Sequence, residues 1–197
     1  ADEVGDLIFT DGNSAAALGC VYGGATVAAW YPITPSSSLP AAFQKYCDKF
    51  RVDPYTGLSN FAIVQAEDEL ASIGMVVGAG WNGARAFTAT SGPGISLMTE
   101  FIGLAYFAEI PVTIINVQRG GPSTGNPTHV GQGDINQARW GTHGDHWLIT
   151  VSPSSVPECF DLTLRAVALS EKYRCPVIFL MDEVIGHMRE KSELPDN

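Results

Sequence analysis

Short runs dominated by apolar residues alternate with longer segments of helical periodicity along most of this chain. The apolar runs are rich in β-branched and aromatic residues, as expected of strands buried on both faces, and include residues 60–65, 84–90, 110–118 and 175–183. The intervening segments, such as 66–80 and 95–109, repeat their apolar residues at helical spacing. This order is typical of a parallel sheet covered by helices. The sequence therefore predicts an α/β protein with three layers (α/β/α) and a mostly parallel sheet of about six strands.

The length of 197 residues fits one domain with a sizeable core. Residues 1–190 are assigned to this domain, and the polar residues 191–197 to a linker or tail toward further domains. Hydrophobic residues make up 45% of the chain and charged residues only 16%, a composition that favours burial against partner proteins. Both ends look like cut or linker sequence, so we expect a segment of a longer polypeptide.

Charge and cysteine content exclude several classes of protein. The formal net charge of −10 argues against nucleic acid or an anionic membrane as the main partner. No apolar run is long enough to span a bilayer and no signal peptide is recognisable, so we expect a cytoplasmic protein. The four cysteines form no CxxC pair, which disfavours a zinc site or iron–sulfur cluster made by this chain alone. We expect buried free thiols at Cys20, Cys47, Cys159 and Cys175.

Two glycine motifs resemble phosphate-binding loops. Residues 78–83 read G-x-G-x-x-G, the dinucleotide-binding fingerprint, but they follow a helix and precede a strand, which is the reverse of the required order. We expect these glycines to end a helix, and a nucleotide-binding oxidoreductase domain stays the alternative. Residues 90–94, TSGPG, lack the lysine of a P-loop but lie between a strand and a helix, where ligands approach open α/β sheets.

The segment YPITPSS, residues 31–37, leaves the end of a short strand. Pro32 and Pro35 fix their own φ angles and push the preceding residues toward extended geometry. Thr34 is therefore held on a stiff loop with its hydroxyl at the ligand-binding edge of the sheet. An equally good interpretation is a rigid turn that caps the next helix through Ser36 or Ser37.

Three acidic residues, Glu67 to Glu69, open a helix directly after a buried strand. Acidic residues in a first helical turn usually complement the helix dipole. A carboxylate at this position also lies at the same sheet edge as Thr34, where burial against a ring nitrogen would suit it to proton transfer.

Arg119 ends a core strand and begins a loop rich in Gly, Pro, Ser and Thr. A buried arginine needs a partner, so either a salt bridge or a bound anion such as a substrate carboxylate is expected. His129 and His143 lie in or after this loop, and both are interpreted as surface or hydrogen-bonding residues rather than metal ligands.

Together these segments resemble the α subunit of 2-oxoacid:ferredoxin oxidoreductases, most closely the 2-oxoglutarate type. The similarity covers roughly residues 8–185 and rests on GNSAAALG, YPITPSSSL, QAEDELASIGMVVGA, RAFTATSGPGISLMTEFIGLA, EIPVTIINVQRGGPSTGNPT and QGDINQARWGTHGD. The combination of YPITP, TSGPG and QRGGPSTG is far more specific than any single glycine motif.

The resemblance implies the thiamine-diphosphate-binding fold and its pyrimidine-binding domain. It implies that Glu67 bonds the pyrimidine nitrogen N1′, with Glu69 as the alternative if the alignment shifts. Thr34 would then bond the substrate's carbonyl or carboxylate oxygen, and Arg119 would bind the substrate carboxylate. The cofactor would also contact Pro32, Ile33, Thr90 and Ser91, and the substrate would also contact Ser123 and Thr124.

The same resemblance implies oxidative decarboxylation of a 2-oxoacid to an acyl-CoA, with electrons passed to ferredoxin. The expected partners are a β subunit with the pyrophosphate-binding domain, in some members a γ subunit or domain, ferredoxin and coenzyme A. Mg²⁺ and the [4Fe-4S] cluster are expected on a partner subunit or domain, because this chain has no GDG…N motif and no cluster cysteines. For the distal carboxylate of 2-oxoglutarate, His129 or Arg139 are candidates. A non-catalytic assembly subunit of the same fold is the remaining alternative.

Overall fold

The computed structural model describes residues 5–193, which form eight strands and seven helices. The strands are β1 Ile8–Asp11, β2 Val27–Trp30, β3 Ala62–Gln65, β4 Ala86–Thr90, β5 Val112–Gln118, β6 Ile149–Val151, β7 Pro176–Asp182 and β8 Arg189–Ser192. The helices are α1 Gly12–Tyr22, α2 Ser38–Phe50, α3 Glu69–Trp81, α4 Gly92–Phe107, α5 Ile135–Trp140, α6 Val156–Tyr173 and α7 Glu183–His187.

Six of the strands form one parallel sheet in the order β3-β2-β4-β5-β7-β6. This confirms the predicted sheet and its strand number. The two long central strands, β5 and β7, are buried along their whole length, as their continuous apolar sequences require.

Helices cover both faces of this sheet, which confirms the three-layer prediction. Helices α1, α2 and α6 pack on one face, where Phe43 lies against Phe87 with ring centroids 4.8 Å apart. Helices α3 and α4 pack on the other face. The small residues of α1 let it approach α6 closely: a Cβ on Gly19 would lie 2.6 Å from the carbonyl oxygen of Phe160.

Strands β1 and β8 pair outside the main sheet, with Ile8 opposite Ser192. The sequence did not predict this antiparallel pair. The proposed domain boundary at residue 190 falls inside β8, and residues 194–197 lie outside the described part of the chain.

The strand order creates a topological switch point between β2 and β4. The chain leaves β2 for α2 on one face of the sheet and leaves β4 for α4 on the other face. Their loops diverge and leave a crevice at the carboxyl ends of the strands, where open α/β sheets bind ligands. Residues 31–37 and 91–94 border this crevice.

The G-x-G-x-x-G segment lies away from that edge. Helix α3 ends at Trp81, and Gly83 adopts a φ of +88° before the chain enters β4 at the opposite end of the sheet. The glycines therefore end a helix, as predicted, because only glycine adopts this φ without steric cost. Between residues 5 and 193, no helix combines the length and apolar character needed to cross a bilayer.

Candidate functional site at the carboxyl edge of the sheet

The loop that follows β2 is held in shape by its own hydroxyl groups. The Ser36 hydroxyl donates to the Ile33 carbonyl over 3.0 Å, and the Ser37 hydroxyl accepts from the Ile33 amide over 3.0 Å. Ser37 occupies the N-cap position of α2, but its side chain bonds no helix amide. The serines therefore rigidify the loop instead of capping the helix through their side chains.

Thr34 lies exposed at the tip of this loop. Within residues 5–193 its hydroxyl has no hydrogen-bond partner, and its main-chain carbonyl accepts from Nη1 of Arg119 over 2.6 Å. The hydroxyl is therefore free to bond a ligand while the backbone beneath it is fixed.

Arg119 is only 7% exposed and has an unusual set of partners. Nη1 donates to the Thr34 carbonyl and Nη2 to the Thr124 carbonyl, each over 2.6 Å, and Nε is buried without a partner. Among the residues that the structure describes, no carboxylate lies within 4 Å of this guanidinium. The sequence left two alternatives for Arg119, a salt bridge and a bound anion, and within residues 5–193 the salt bridge is absent. A buried cation without a neutralising carboxylate attracts an anion.

The three acidic residues after β3 occupy three different environments. Asp68 is the N-cap of α3, and its Oδ1 accepts from the Ala71 amide over 2.6 Å. Glu69 is 7% exposed and packs between α3 and α4, beside Gly94. Glu67 is exposed on the loop at the carboxyl end of β3. Of the two candidate glutamates, Glu67 is the one that an approaching ligand can reach.

The end of β4 brings Thr90 and Ser91 into the same edge, both fully buried. Ser91 is the N-cap residue of α4, yet its hydroxyl has no partner within the described part of the chain. Gly94 passes so close that a Cβ there would overlap the Thr90 hydroxyl and lie 2.8 Å from Cγ of Glu69. The glycine of TSGPG therefore permits close packing of α3 and α4.

A cleft of about 590 Å³ adjoins Arg119. Its lining includes Pro93, Ser123 and Asp134. Ser123 and Thr124, predicted to contact substrate, are exposed on the loop after β5. Ser123 lines the same cleft as Arg119, and the Thr124 carbonyl accepts from the Arg119 guanidinium. Pro32 is exposed and Ile33 half-buried on the Thr34 loop.

The other polar candidates lie farther along the chain and are exposed. His129 and His143 are surface residues, as predicted. The carbonyl of His129 accepts from the Gly120 amide over 2.7 Å and so closes the loop that begins at Arg119. Arg139 lies on α5 with its guanidinium 4.7 Å from the centre of the Trp140 ring.

Sequence reasoning missed a layer of amides beneath this edge. Asn116 donates to Asp134 over 2.9 Å, and the Asp134 amide donates to the Gln118 side chain over 3.1 Å. Asn13, at the start of α1, donates to the Pro35 carbonyl over 2.9 Å. Asn116 and Gln118 could have been identified from the sequence, because they are polar residues that interrupt an otherwise apolar strand near its carboxyl end.

The four cysteines are buried and free, as predicted. Burial raises the pKa of Cys47 to about 11 and also raises the pKa values of Cys20, Cys159 and Cys175. From residue 5 to residue 193, no group of three or more His, Cys, Asp or Glu side chains is placed to hold a metal ion.

Comparison with known proteins identifies the family of this chain. The family model described as pyruvate flavodoxin/ferredoxin oxidoreductase, thiamine diphosphate-binding, matches residues 18–197. The 2-oxoglutarate synthase subunit KorA of Methanothermobacter thermautotrophicus is 49% identical over 188 residues, covering 95% of this chain and 48% of that protein. The 2-oxoacid:ferredoxin oxidoreductase subunit alpha of Saccharolobus solfataricus is 45% identical over 185 residues, covering 92% and 29%.

A solved structure supports the same assignment. The 2-oxoglutarate:ferredoxin oxidoreductase from Magnetococcus marinus, with 2-oxoglutarate, coenzyme A and succinyl-CoA bound, superposes with a TM-score of 0.90 at 39% identity. The match covers 97% of this chain and 32% of that chain. This chain spans about half the length of the KorA proteins it matches. It belongs to the family of thiamine-diphosphate-binding domains of pyruvate flavodoxin/ferredoxin oxidoreductases.

Proposed function

We propose that this chain is the pyrimidine-binding part of a 2-oxoacid:ferredoxin oxidoreductase. The reaction is the oxidative decarboxylation of a 2-oxoacid to an acyl-CoA, with the electrons passed to ferredoxin. The observation that supports it most is that Thr34, Glu67 and Arg119 lie on loops at one sheet edge, in a chain of this family. Alone, the chain would be inactive, because the rest of the site would come from a partner.

The residues at this edge fit the pyrimidine half of the cofactor. Glu67 is exposed and so available to hydrogen-bond the ring nitrogen N1′, and Pro32 and Ile33 are accessible on the Thr34 loop, whereas Thr90 and Ser91 are completely buried behind the edge. The unpartnered, buried Ser91 hydroxyl is a further polar group at this edge. Thiamine diphosphate, when bound, supplies the electron sink for decarboxylation. Mg²⁺ and the [4Fe-4S] cluster would be held by the partner.

Thr34 and Arg119 would act on the substrate. The Thr34 hydroxyl, free within the described chain, donates to a substrate oxygen and stabilises the charge that develops there. Arg119 has five N–H donors, and the two carbonyls accept from two of them. The remaining donors and the positive charge attract the substrate carboxylate, while Ser123 and Thr124 line its approach.

We propose 2-oxoglutarate as the substrate, because relatives with 49% sequence identity to this chain are named 2-oxoglutarate synthase subunits. Its second carboxylate needs a polar or cationic partner beyond Arg119. His129 and Arg139 are candidates on this chain, and residues of the partner could share the role.

Exposed apolar side chains on α3 and α4 support assembly with a β subunit that carries the pyrophosphate-binding domain. Trp81 on α3 is 69% exposed and Phe107 on α4 is 87% exposed, and the further exposed apolar side chains on these helices are Leu70, Met75, Leu97 and Leu104. Exposed apolar area of this kind marks interaction surfaces. A γ subunit or domain, coenzyme A and ferredoxin would join the same assembly.

This partner assignment is tested by co-purification of the β subunit. Trp81→Glu and Phe107→Glu place a charge in the apolar surface and should reduce recovery of the β subunit strongly. Tyr173→Glu is the matched control, since Tyr173 is 56% exposed but lies on α6, on the opposite face of the sheet. Equal recovery for all three variants would place the interface elsewhere.

We place the protein in the cytoplasm. Four buried free thiols fit a reducing compartment, where disulfides are rare.

The decisive experiment is reduction of a viologen dye by the native complex, dependent on coenzyme A, with pyruvate and 2-oxoglutarate compared. Reduction with 2-oxoglutarate supports the proposal in full. Reduction with pyruvate alone supports the reaction and overturns the substrate. A complex without thiamine diphosphate and without activity would instead favour the non-catalytic assembly subunit.

A further inference from the structure

Asn13 is a completely buried polar side chain at the start of α1. Its Nδ2 donates to the Pro35 carbonyl over 2.9 Å and to the Ser38 hydroxyl over 2.8 Å. Both acceptors lie more than 20 residues later in the chain, on the loop and helix that follow β2. Asn13 therefore joins α1 to the loop that presents Thr34.

The environment of Asn13 uses the donor side of its amide and leaves the acceptor side without a partner in the described part of the chain. A buried amide is unfavourable unless it is hydrogen-bonded, and its Oδ1 has no partner within the described part of the chain. Gly186 packs beside that oxygen, since a Cβ at position 186 would lie only 3.1 Å from it. Nδ2 makes both of the side chain's hydrogen bonds, one to the Thr34 loop at Pro35 and one to Ser38 at the start of α2.

Asn13 and Arg119 hold consecutive peptide carbonyls from two different elements. Arg119, after β5, binds the carbonyl of Thr34, and Asn13, on α1, binds the carbonyl of Pro35. With both carbonyls fixed, the backbone at Thr34 has little freedom to rotate, so the direction of its hydroxyl depends on both donors.

We infer that Asn13 is a positioning residue that sets the orientation of the Thr34 hydroxyl toward the substrate. The inference rests on the proposed function, because Thr34 acts on substrate only if the chain is part of such an enzyme. Displacement of a reacting group by about 1 Å costs up to on the order of 100-fold in rate. Loss of the Asn13 donors should therefore lower kcat on the order of tenfold or more.

A double-mutant cycle separates positioning from general stability. The native complex would be prepared with Asn13→Ala, Thr34→Val, both substitutions together, and Ser14→Ala as a matched control. Ser14 lies beside Asn13 in α1 but bonds only Asp11. We expect Asn13→Ala to lower kcat with an unchanged KM for coenzyme A, to add less than about twofold in the Thr34→Val background, and Ser14→Ala to be neutral.

A second readout does not depend on activity. The Ser36 amide bonds the Ile33 carbonyl, and the Leu39 amide, in the first turn of α2, bonds the Ser36 carbonyl. Hydrogen exchange at both amides should accelerate in the Asn13→Ala complex, while β5 amides stay protected. Should Asn13→Ala fail to assemble, Asn13→Ser replaces it, because a serine hydroxyl is too short to reach Pro35.

The outcomes keep the two proposals apart. A wild-type complex without 2-oxoacid-dependent reduction overturns the proposed function. An active wild type in which Asn13→Ala changes neither kcat nor loop exchange overturns the positioning role. If Asn13→Ala lowers kcat by the same factor in the wild-type and Thr34→Val backgrounds, the positioning role is also overturned, because Asn13 would then act independently of Thr34.

Discussion

Nη1 of Arg119 lies 2.6 Å from the main-chain carbonyl oxygen of Thr34, a residue 85 positions earlier in the chain. Nη2 of the same guanidinium bonds the carbonyl of Thr124. One buried cation therefore joins the loops that follow β2 and β5. Because Thr34 and Arg119 are in contact, substitutions at the two positions should not have additive effects.

Arg119→Lys should reduce kcat/KM for the 2-oxoacid about 100-fold in the native complex. Lysine keeps the charge, but its single ammonium group cannot reproduce the planar donor geometry that binds two carbonyls. The measurement is steady-state viologen reduction, with Arg165→Lys as control, because Arg165 is exposed on α6 and has no role in the proposed site. Wild-type activity in Arg119→Lys would show that charge alone suffices.

Thr34→Val should abolish most activity without affecting stability. The hydroxyl makes no bond within residues 5–193, so the free energy of unfolding should change by less than about 0.5 kcal/mol. The loss of one positioned donor should lower kcat on the order of 100-fold. Thr34→Ser, which keeps the hydroxyl, is the control, and thermal unfolding is the stability check. Full activity of Thr34→Val would remove Thr34 from the site.

Glu67→Gln and Glu69→Gln should separate the two candidate pyrimidine carboxylates. Glu67 is exposed at the sheet edge, so its amide variant should keep normal stability and lose at least about 100-fold in rate. Glu69 is buried against Gly94, so its variant should retain most activity. The opposite result would make Glu69 the cofactor ligand and would require α3 and α4 to separate on cofactor binding.

Gly94→Ala should destabilise the chain by about 1–3 kcal/mol, because its Cβ would overlap the Thr90 hydroxyl and approach Glu69. Gly78→Ala in α3 is a matched control, since a Cβ there meets no atom within 4 Å. Alanine at position 78 should be neutral or stabilising by up to about 1 kcal/mol. Denaturant unfolding measures both, and equal effects would contradict the close packing of α3 and α4.

The native thiols should resist alkylation at pH 8. Thiolate is the reactive form, and burial raises the pKa of Cys47 from the ordinary 9.0 to about 11 and raises the others too. Four thiols should react only after unfolding. The thiol pKa values are higher in the folded than in the unfolded state, so below about pH 9 thiol ionisation does not reduce the free energy of unfolding. As the pH rises above that value, the unfolded chain loses thiol protons first and the free energy of unfolding falls. Rapid labelling of a native cysteine would contradict this.

Much of the fold follows from local sequence patterns. The runs that end at Thr90, Gln118 and Asp182 are strands buried along their whole length, as their continuous apolar sequences require. The run that ends at Gln65 is also a strand, but its predicted burial was wrong, because β3 lies at the edge of the sheet and is largely exposed. The predicted order of elements, with a helix before the G-x-G-x-x-G segment and a strand after it, also explained why these glycines end α3. Short elements were harder, since the polar strand Arg189–Ser192 pairs with Ile8–Asp11 through main-chain hydrogen bonds that leave no apolar pattern.

The sequence by itself determined the family, the parallel sheet and the identity of the loops at its carboxyl edge, because motifs and hydrophobic periodicity are properties of neighbouring residues. Only the tertiary structure decided what each polar group at that edge contacts. Arg119 binds two carbonyls without a carboxylate, Glu69 is buried while Glu67 is exposed, and Asn13 reaches Pro35. These contacts join residues that are distant in sequence, and burial and hydrogen bonding between such residues exist only once the sheet brings its loops together.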